Sequence, residues 1–418
     1  MRLFVYREDI PVGELYTSDA GICFKYDPAY RGPDAYPLSI SLPIQDDVYP
    51  QNITLPFFEG LLPEGNQRRE LGDILHVSST STMKLLQALA GECVGNLILL
   101  DEDMDIGKQQ SESIYTPLSF KELEALLRPQ SIERARFIAS RRLSLAGAQA
   151  KLGLYYESGA WFATRGLAPT THIIKPASLF DPTVLINEFF MMQLAKCCGV
   201  VVPDTSIIRF GEQFGFAIRR FDRPRLDDSV KGRVIKLGQE DFCQALSIMP
   251  DNKYENDGGP GFKELFATTL HYTSRPAQNI QRLLRVILFN YLIGNCDAHA
   301  KNFSLLQNRS NGGRSFAPAY DLISTTFYGG RLLNSMAMRI GEHRRIDRIN
   351  ADDFARFSDD IGVSLGAIAA ELYSLHESLI EHIEEVVEKI GQEAREFLPT
   401  AKQLREHLLK ELEQRVTL

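Results

Sequence analysis

The stretch Arg285-Val-Ile-Leu-Phe-Asn-Tyr-Leu-Ile293 is almost wholly apolar, stops at Gly294, and hands over to Asp297-Ala-His-Ala-Lys-Asn302. A run of that kind reads as a buried helix ended by a glycine. It demands a helical core around it and a polar opening at its C-terminal end. After a polar insert comes Pro318-Ala-Tyr-Asp321, which supplies a second acid. Acid, amide and acid in that order suit phosphoryl transfer. A carboxylate can hold the proton of an acceptor hydroxyl, and hard oxygen donors suit Mg²⁺. A single D-x-x-x-x-N also fits an ordinary loop whose Asp and Asn cap turns. The rest of the chain must decide.

A chain of 418 residues allows two to three domains with ample core. Its 44% hydrophobic and 24% charged content is that of a soluble globular protein. No apolar run reaches the roughly 18 residues that a membrane span needs. The start, Met1 to Asp9, reads as a strand and turn rather than a signal peptide, so a cytoplasmic location is expected. A net charge of −8 argues against an autonomous nucleic-acid binder and leaves DNA contact to a basic partner. The six cysteines (Cys23, Cys93, Cys197, Cys198, Cys243, Cys296) show no metal spacing and read as buried free thiols.

Three regions follow from the patterning. Residues 1–105 open with apolar–polar alternation, continue with helical segments, and close on the strand-like Val94 to Leu100. Residues 101–115 are acidic and polar, as a linker would be. Residues 116–238 are β-rich with one helix at 184–198, the composition of a nucleotide-clamping lobe. Residues 239–418 are helical, ending in two long amphipathic helices.

Upstream of the acids, Lys175 ends the short apolar strand Thr171-His-Ile-Ile174. Its ammonium could reach nucleotide phosphates, and Glu188 on the next helix stands at a spacing where it could pair with the lysine. An edge-strand surface lysine is the plain alternative. The segment Ser144 to Lys151 is a small-residue loop whose backbone N–H groups could approach phosphate, with Lys151 adding a charge. It has one glycine, Gly147, and is no Walker motif. Asp297 is the candidate base, a role worth roughly 10²–10⁴-fold. Asn302 and Asp321 are candidate metal ligands; His299 and Tyr320 could touch nucleotide or simply pack.

These residues, taken together, resemble the HipA-type serine/threonine kinases, the toxins of bacterial type II toxin–antitoxin pairs. Matching segments run in order along most of the chain. They are Phe57 to Pro63, Leu145 to Gln149 with Lys151, His172 to Lys175, Asn187-Glu188 and Arg220-Phe-Asp-Arg223. Then come Gln239 to Gln244, Lys253 to Gly261, Leu292 to Phe303 and Tyr320-Asp321. The resemblance implies an α+β, bilobed protein-kinase-like fold with an N-terminal β-containing subdomain and a helical C-terminal lobe. It implies ATP, Mg²⁺ and a protein Ser/Thr acceptor, with Lys175 on the α- and β-phosphates, Asp297 as base and Asn302 and Asp321 on metal. Ala148, Gln149 and Lys151 match the phosphate loop. Arg219 and Phe221 match the adenine side, and Gln239, His299 and Tyr320 match positions near the nucleotide. Ser144 matches a serine whose autophosphorylation displaces that loop and silences the kinase; otherwise it is a turn-capping serine. The family often has an acid where Arg219 stands, which bears on ribose contact if that side chain takes part.

The implied partners are a small helix-turn-helix, HipB-like antitoxin and a protein substrate, for which the resemblance suggests an aminoacyl-tRNA synthetase. DNA would be met only through the antitoxin. Two other readings remain at this stage: a small-molecule or lipid kinase, and a catalytically silent corepressor or scaffold. Keeping Lys175, Asp297, Asn302 and Asp321 argues against the last, since a pseudoenzyme need not keep a base and both metal ligands.

Overall fold

Leu3 and Val5 point inward from the first strand and Phe24 from the third, and this alternation builds the first sheet. In the computed structural model, which describes residues 1–415 apart from 34, 148, 179–180, 226–233, 309–311 and 331–333, the strands β1 (Arg2–Arg7), β2 (Ile10–Ser18), β3 (Gly21–Tyr26) and β4 (Leu97–Leu100) form an antiparallel sheet of order β3-β2-β1-β4. The expected closing strand is therefore present and lies beside the first. The helices Gln51–Glu59, Gly65–Leu75 and Thr82–Leu89 lie between β3 and β4 in the chain. They contribute Phe57, Phe58, Leu71, Leu85 and Leu86 to the core beneath that sheet.

A second sheet follows, of order β5-β7-β6-β8-β10-β9. Its strands are β5 (Ile114–Pro117), β6 (Leu152–Glu157), β7 (Ala160–Arg165), β8 (His172–Pro176), β9 (Thr205–Phe210) and β10 (Gln213–Arg219). The 101–115 stretch is not all linker. Asp105 caps a short helix, Ile106–Ser111, and Ile114 opens β5, an edge strand paired with β7. Edge strands need little apolar surface, so a polar sequence concealed it. Leu152, Leu154, Ile174 and Ala217 of this sheet join the same apolar core as Leu3 and Val5.

By contacts the chain divides into two units: Met1–Ala177, Ile208–Pro250 and Leu305–Arg314 form the first, and Ser178–Ile207, Asp251–Ser304 and Ser315–Leu418 the second. The helix Thr183–Cys197 thus falls with the helical residues, whereas the patterning had grouped it with the β-rich stretch. The reason is that Leu185 to Ala195 are buried on every face. A helix without a polar side needs helices around it. It packs on Leu365–Glu393 and Leu398–Arg415. The helix Pro276–Ile293 has proline in its first turn and ends at Gly294 (φ 71°). A Cβ on Gly294 would lie 2.2 Å from Thr326 Oγ1, so glycine is required twice over. The helix Leu365–Glu393 buries Ile368, Leu372, Leu375, Leu379, Ile383, Val386 and Ile390; of the apolar stripe expected at Ile380, Ile383, Val386 and Ile390, Ile380 is instead exposed. No helix among the described residues is long and apolar enough to cross a membrane.

Charge organises the interior of the first unit. Arg220 meets Asp222 through two bonds (Nε–Oδ1 2.9 Å, Nη2–Oδ2 2.7 Å), and Arg223 donates to the same carboxylate at 2.8 Å. Glu92 Oε1 accepts from Arg220 at 3.3 Å and from the Thr170 N–H at 2.9 Å. The Gly95 N–H donates to Asp222. All these side chains are buried. Burial alone would raise the Asp222 carboxyl; Arg220 and Arg223 overcome it and hold the group far below the usual carboxylate range. Burial pushes Lys236 down to about 8 despite the pull of Glu92. Asp222→Asn leaves two guanidiniums undercompensated and should cost about 3–5 kcal/mol in chemical denaturation. The unfolded chain binds more protons than the folded one between the Lys236 value of about 8 and the ordinary lysine value of 10.5. Stability should therefore rise with pH across that window, by on the order of 3 kcal/mol. Lys236→Met should flatten the rise in denaturation curves collected from pH 7.5 to 10.5.

Candidate active site

The chemistry-bearing residues of the second unit sit on two loops tied together by buried amides and hydroxyls. Directly after Gly294, the Asn295 side chain donates to Asn290 Oδ1 (2.7 Å) and to the Asp321 carbonyl (3.2 Å), and it accepts from the Asp297 N–H (3.2 Å). Thr325 Oγ1 donates to the Gly294 carbonyl (3.0 Å) and accepts from the Cys296 N–H (2.9 Å). Asn187 clasps Ser324 at both its N–H and its carbonyl, each at 2.9 Å. Buried backbone groups must find partners, and here side chains of the neighbouring segment provide them. The candidate base and the second candidate metal ligand therefore share one frame.

Within it, Asp297 begins a tight turn: its carbonyl accepts from the His299 N–H (2.8 Å) and from Asn302 Nδ2 (3.1 Å). That leaves the Asn302 carbonyl oxygen as the atom a hard cation would use. Asp321 has φ 54°, an uncommon left-handed conformation for a non-glycine residue. The Asn295 bond to its own carbonyl and the Asn187 clasp three residues on hold it there. Asp297 is exposed, as a group meeting an incoming hydroxyl must be, yet protein crowds around it. That crowding raises its pKa and the Asp321 charge adds to the rise, while the Tyr254 hydroxyl and the charge of Lys253 oppose it. Tyr320 donates to the Lys301 carbonyl at 2.7 Å and meets Ser304 Oγ at 2.5 Å. His299 is buried and edge-on to the Tyr254 ring.

The other expected residues lie in the first unit, Glu188 excepted. Ser144 is fully buried; its hydroxyl donates to the Leu61 carbonyl (2.6 Å) and its N–H to the Glu92 carbonyl (2.9 Å). Gly147, at φ 105°, accepts from the Glu64 N–H at 3.0 Å. The loop is thus docked on the N-terminal helices, and Lys151 Nζ closes it by donating to the Ala146 carbonyl at 2.5 Å. Gln149 is exposed, and Ala148 lies outside the described residues. Lys175 is buried on β8 opposite Phe216. Arg219 ends β10 with an exposed side chain, and Phe221 follows half-buried. Gln239 lies on β11 (Gly238–Asp241), where its N–H is 3.1 Å from the Cβ that a side chain on Gly95 would carry. Glu188 is buried in the helix Thr183–Cys197, next to Asn187.

Reading the sequence assigned no role to Asn187, Asn295 or Tyr254. A signal existed for two of them, since an amide inside or at the end of an apolar helix must find a polar partner. Tyr254 carried none beyond its place in the Lys253 to Gly261 segment.

Comparison with known proteins agrees with this architecture. The model of the HipA-like C-terminal domain matches residues 143–394, and that of the HipA N-terminal domain matches residues 3–100. The chain belongs to the HipA family. Similar proteins include "Putative kinase Y4mE" of Sinorhizobium fredii, 36% identical over 389 residues and 90% of each chain. Another is the serine/threonine-protein kinase toxin HipA of Shewanella oneidensis, 29% identical over 403 residues, 93% of this chain and 89% of that one. The solved complex of Shewanella oneidensis HipA with HipB and operator DNA superposes with a TM-score of 0.84 at 26% identity, covering 98% and 96% of the two chains. The α+β, kinase-like fold of HipA is accordingly the fold of this chain, and protein kinase is its enzyme class.

Asn187→Ala orphans the buried N–H and carbonyl of Ser324, at about 1–3 kcal/mol for each group. Thermal and urea denaturation should both show the loss, and Thr183→Ala, which meets Asn187 only through the Tyr328 hydroxyl (3.4 and 3.3 Å), should show far less.

Proposed function

We propose that this protein is an ATP- and Mg²⁺-dependent protein serine/threonine kinase acting as the toxin of a toxin–antitoxin pair. One observation carries the reading: Asp297, Asn302 and Asp321 hang on a single hydrogen-bonded frame, with Asn302 braced against the Asp297 carbonyl and Asp321 near enough to raise the Asp297 pKa. Two carboxylates that repel each other beside an amide oxygen make a donor set suited to a hard divalent cation. No three His, Cys, Asp or Glu gather as a metal group among the described residues. A cation here would use Asn302 and Asp321, and Mg²⁺ commonly takes its remaining positions from phosphates and water. When bound, the metal would neutralise charge on the transferring phosphoryl group. Asp297 would receive the proton of the acceptor hydroxyl. Lys175 would hold the α- and β-phosphates, with Glu188 as the acid proposed to partner it. The N–H groups of the Ser144–Lys151 loop, Ala148 and Gln149 among them, would face the phosphates. Arg219 and Phe221 would meet the adenine side, with Gln239, His299 and Tyr320 also at the nucleotide.

Burial of Ser144 supports self-inactivation. A phosphate there adds about −1.5 to −2 charge, and the Ser144 hydroxyl is fully buried against the Leu61 carbonyl, an oxygen that a phosphate would repel. The loop would have to leave its dock, and phosphate binding would go with it. A HipB-like helix-turn-helix antitoxin fits as partner, since this chain carries a net charge of −8 and would leave DNA contact to a basic protein. The acceptor would be a protein of translation, such as an aminoacyl-tRNA synthetase, in the cytoplasm.

Cells expressing the chain should stop growing and accumulate phosphoserine or phosphothreonine, and Asp297→Asn should remove both effects while leaving the melting temperature unchanged. Phosphopeptide mass spectrometry reads the outcome. Equal phosphorylation by Asp297→Asn would reject the base. A self-phosphorylation signal that survives Ser144→Ala would reject that site.

A further inference from the structure

The Tyr254 hydroxyl donates to Asp297 Oδ1 at 2.7 Å, a bond that no step of the proposed chemistry requires. The tyrosine is held from several sides. Its ring stands edge-on to His299, with centroids 5.1 Å apart and an interplanar angle of 86°. The carbonyl of the preceding residue, Lys253, accepts from the Ala300 N–H at 3.3 Å, so the backbone beside Tyr254 is stitched onto the same turn that carries Asp297. On its other side the Tyr254 carbonyl accepts from the N–H groups of Asp257 (3.0 Å) and Gly259 (2.9 Å). A side chain on Gly259 would collide with the Asn252 and Tyr254 carbonyls at 2.3 and 2.7 Å. Glu255 then anchors the segment to the strand Ser335–Ile340, accepting from both the backbone N–H (2.7 Å) and Nε (2.5 Å) of Arg339. A phenol fixed at so many points has not drifted into reach of the carboxylate.

We infer that Tyr254 is a positioning residue for the base: by taking Oδ1, it turns the carboxylate so that Oδ2 faces the acceptor hydroxyl. The inference rests on Asp297 being that base. A carboxylate free to spin about its last bond offers either oxygen in many directions, and a fixed donor on one oxygen removes that freedom before substrate arrives. In the transfer step the acceptor hydroxyl gives its proton to Oδ2 as its oxygen bonds the γ-phosphorus. The bridging P–O bond breaks, and ADP leaves with the electron pair. Oδ1, held by the phenol, stays out of the exchange. A hydrogen bond donated to the ionised carboxylate also favours that form against the crowding by protein that opposes it.

Tyr254→Phe removes one oxygen and keeps the ring on His299. The assay follows label from γ-labelled ATP into the proteins of a nucleotide-depleted cell extract, using the full-length chain and rates normalised to ATP bound per chain, so that a folding loss is separated from a catalytic one. The expected result is a fall in kcat of about tenfold or more, within the roughly 10²–10⁴-fold that a positioned base supplies, with KM for ATP and melting temperature unchanged. A wild-type rate in Tyr254→Phe overturns the inference, as does a raised KM with unaltered kcat, which would make Tyr254 a binding contact. Asp297→Asn is run beside it. If that variant keeps its rate, or the wild type transfers no label, the base assignment itself fails. If it is inactive while Tyr254→Phe is normal, only the role given to Tyr254 fails.

Discussion

Asp297 and Asp321 would drift apart if electrostatics alone governed them, since each carboxylate disfavours the charge of the other. What holds them is a set of neutral hydrogen bonds from Asn295, Thr325 and Asn187 to backbone groups of the facing segment. Each such bond adds only about 1 kcal/mol net, but leaving a buried partner unmade costs about 1–3 kcal/mol. The frame therefore tolerates no partial version of itself. These bonds join the two acids, the amide between them and the end of the helix Pro276–Ile293, an order that a reaction dominated by positioning and electrostatics would ask of its protein.

The first unit solves its own ordering problem with charge. Arg220, Arg223, Asp222 and Glu92 lie buried together and bind the end of β10 to the segment Glu92–Gly95. Such clusters seldom stabilise more than apolar residues of the same shape would, but their geometry is strict. The phosphate-loop candidate docks close by: Glu92 offers its carboxylate to the cluster and its backbone carbonyl to Ser144. The same short segment thus anchors the strand end and the loop. Candidate loops in both units are tethered to neighbouring elements, by ions in one and by amides in the other.

Strain collects where the chemistry is expected. Asp321 holds a left-handed backbone without being glycine, and Gly294 holds one under a contact that no side chain would survive. Both lie at the ends of the two segments joined by Asn295. Conformations of this kind persist only when their surroundings over-determine them, and the hydrogen bonds around them do that. The Tyr254 contact continues the pattern, because the carboxylate it touches is fixed by a segment that is itself fixed by Glu255 and Arg339.

Sequence periodicity was enough for the apolar helix Pro276–Ile293, the long stripe of Leu365–Glu393 and the antiparallel opening of β1 to β3, because repetition of buried side chains is itself the force that forms them. The order of acid, amide and acid was equally visible, since the chemistry restricts which residue types can serve. Local pattern could not show β5, whose exposed edge needs no apolar signature, nor the allegiance of the helix Thr183–Cys197, whose neighbours come from residues 365 to 415. Nor could it show Asn187, Asn295 or Tyr254 at work, because a hydrogen bond between residues 26 to 137 positions apart leaves no periodic trace. Chain order determined which groups the protein possesses; only folding decided which of them meet, since long-range contacts are set by the packing of the whole core and not by any one segment.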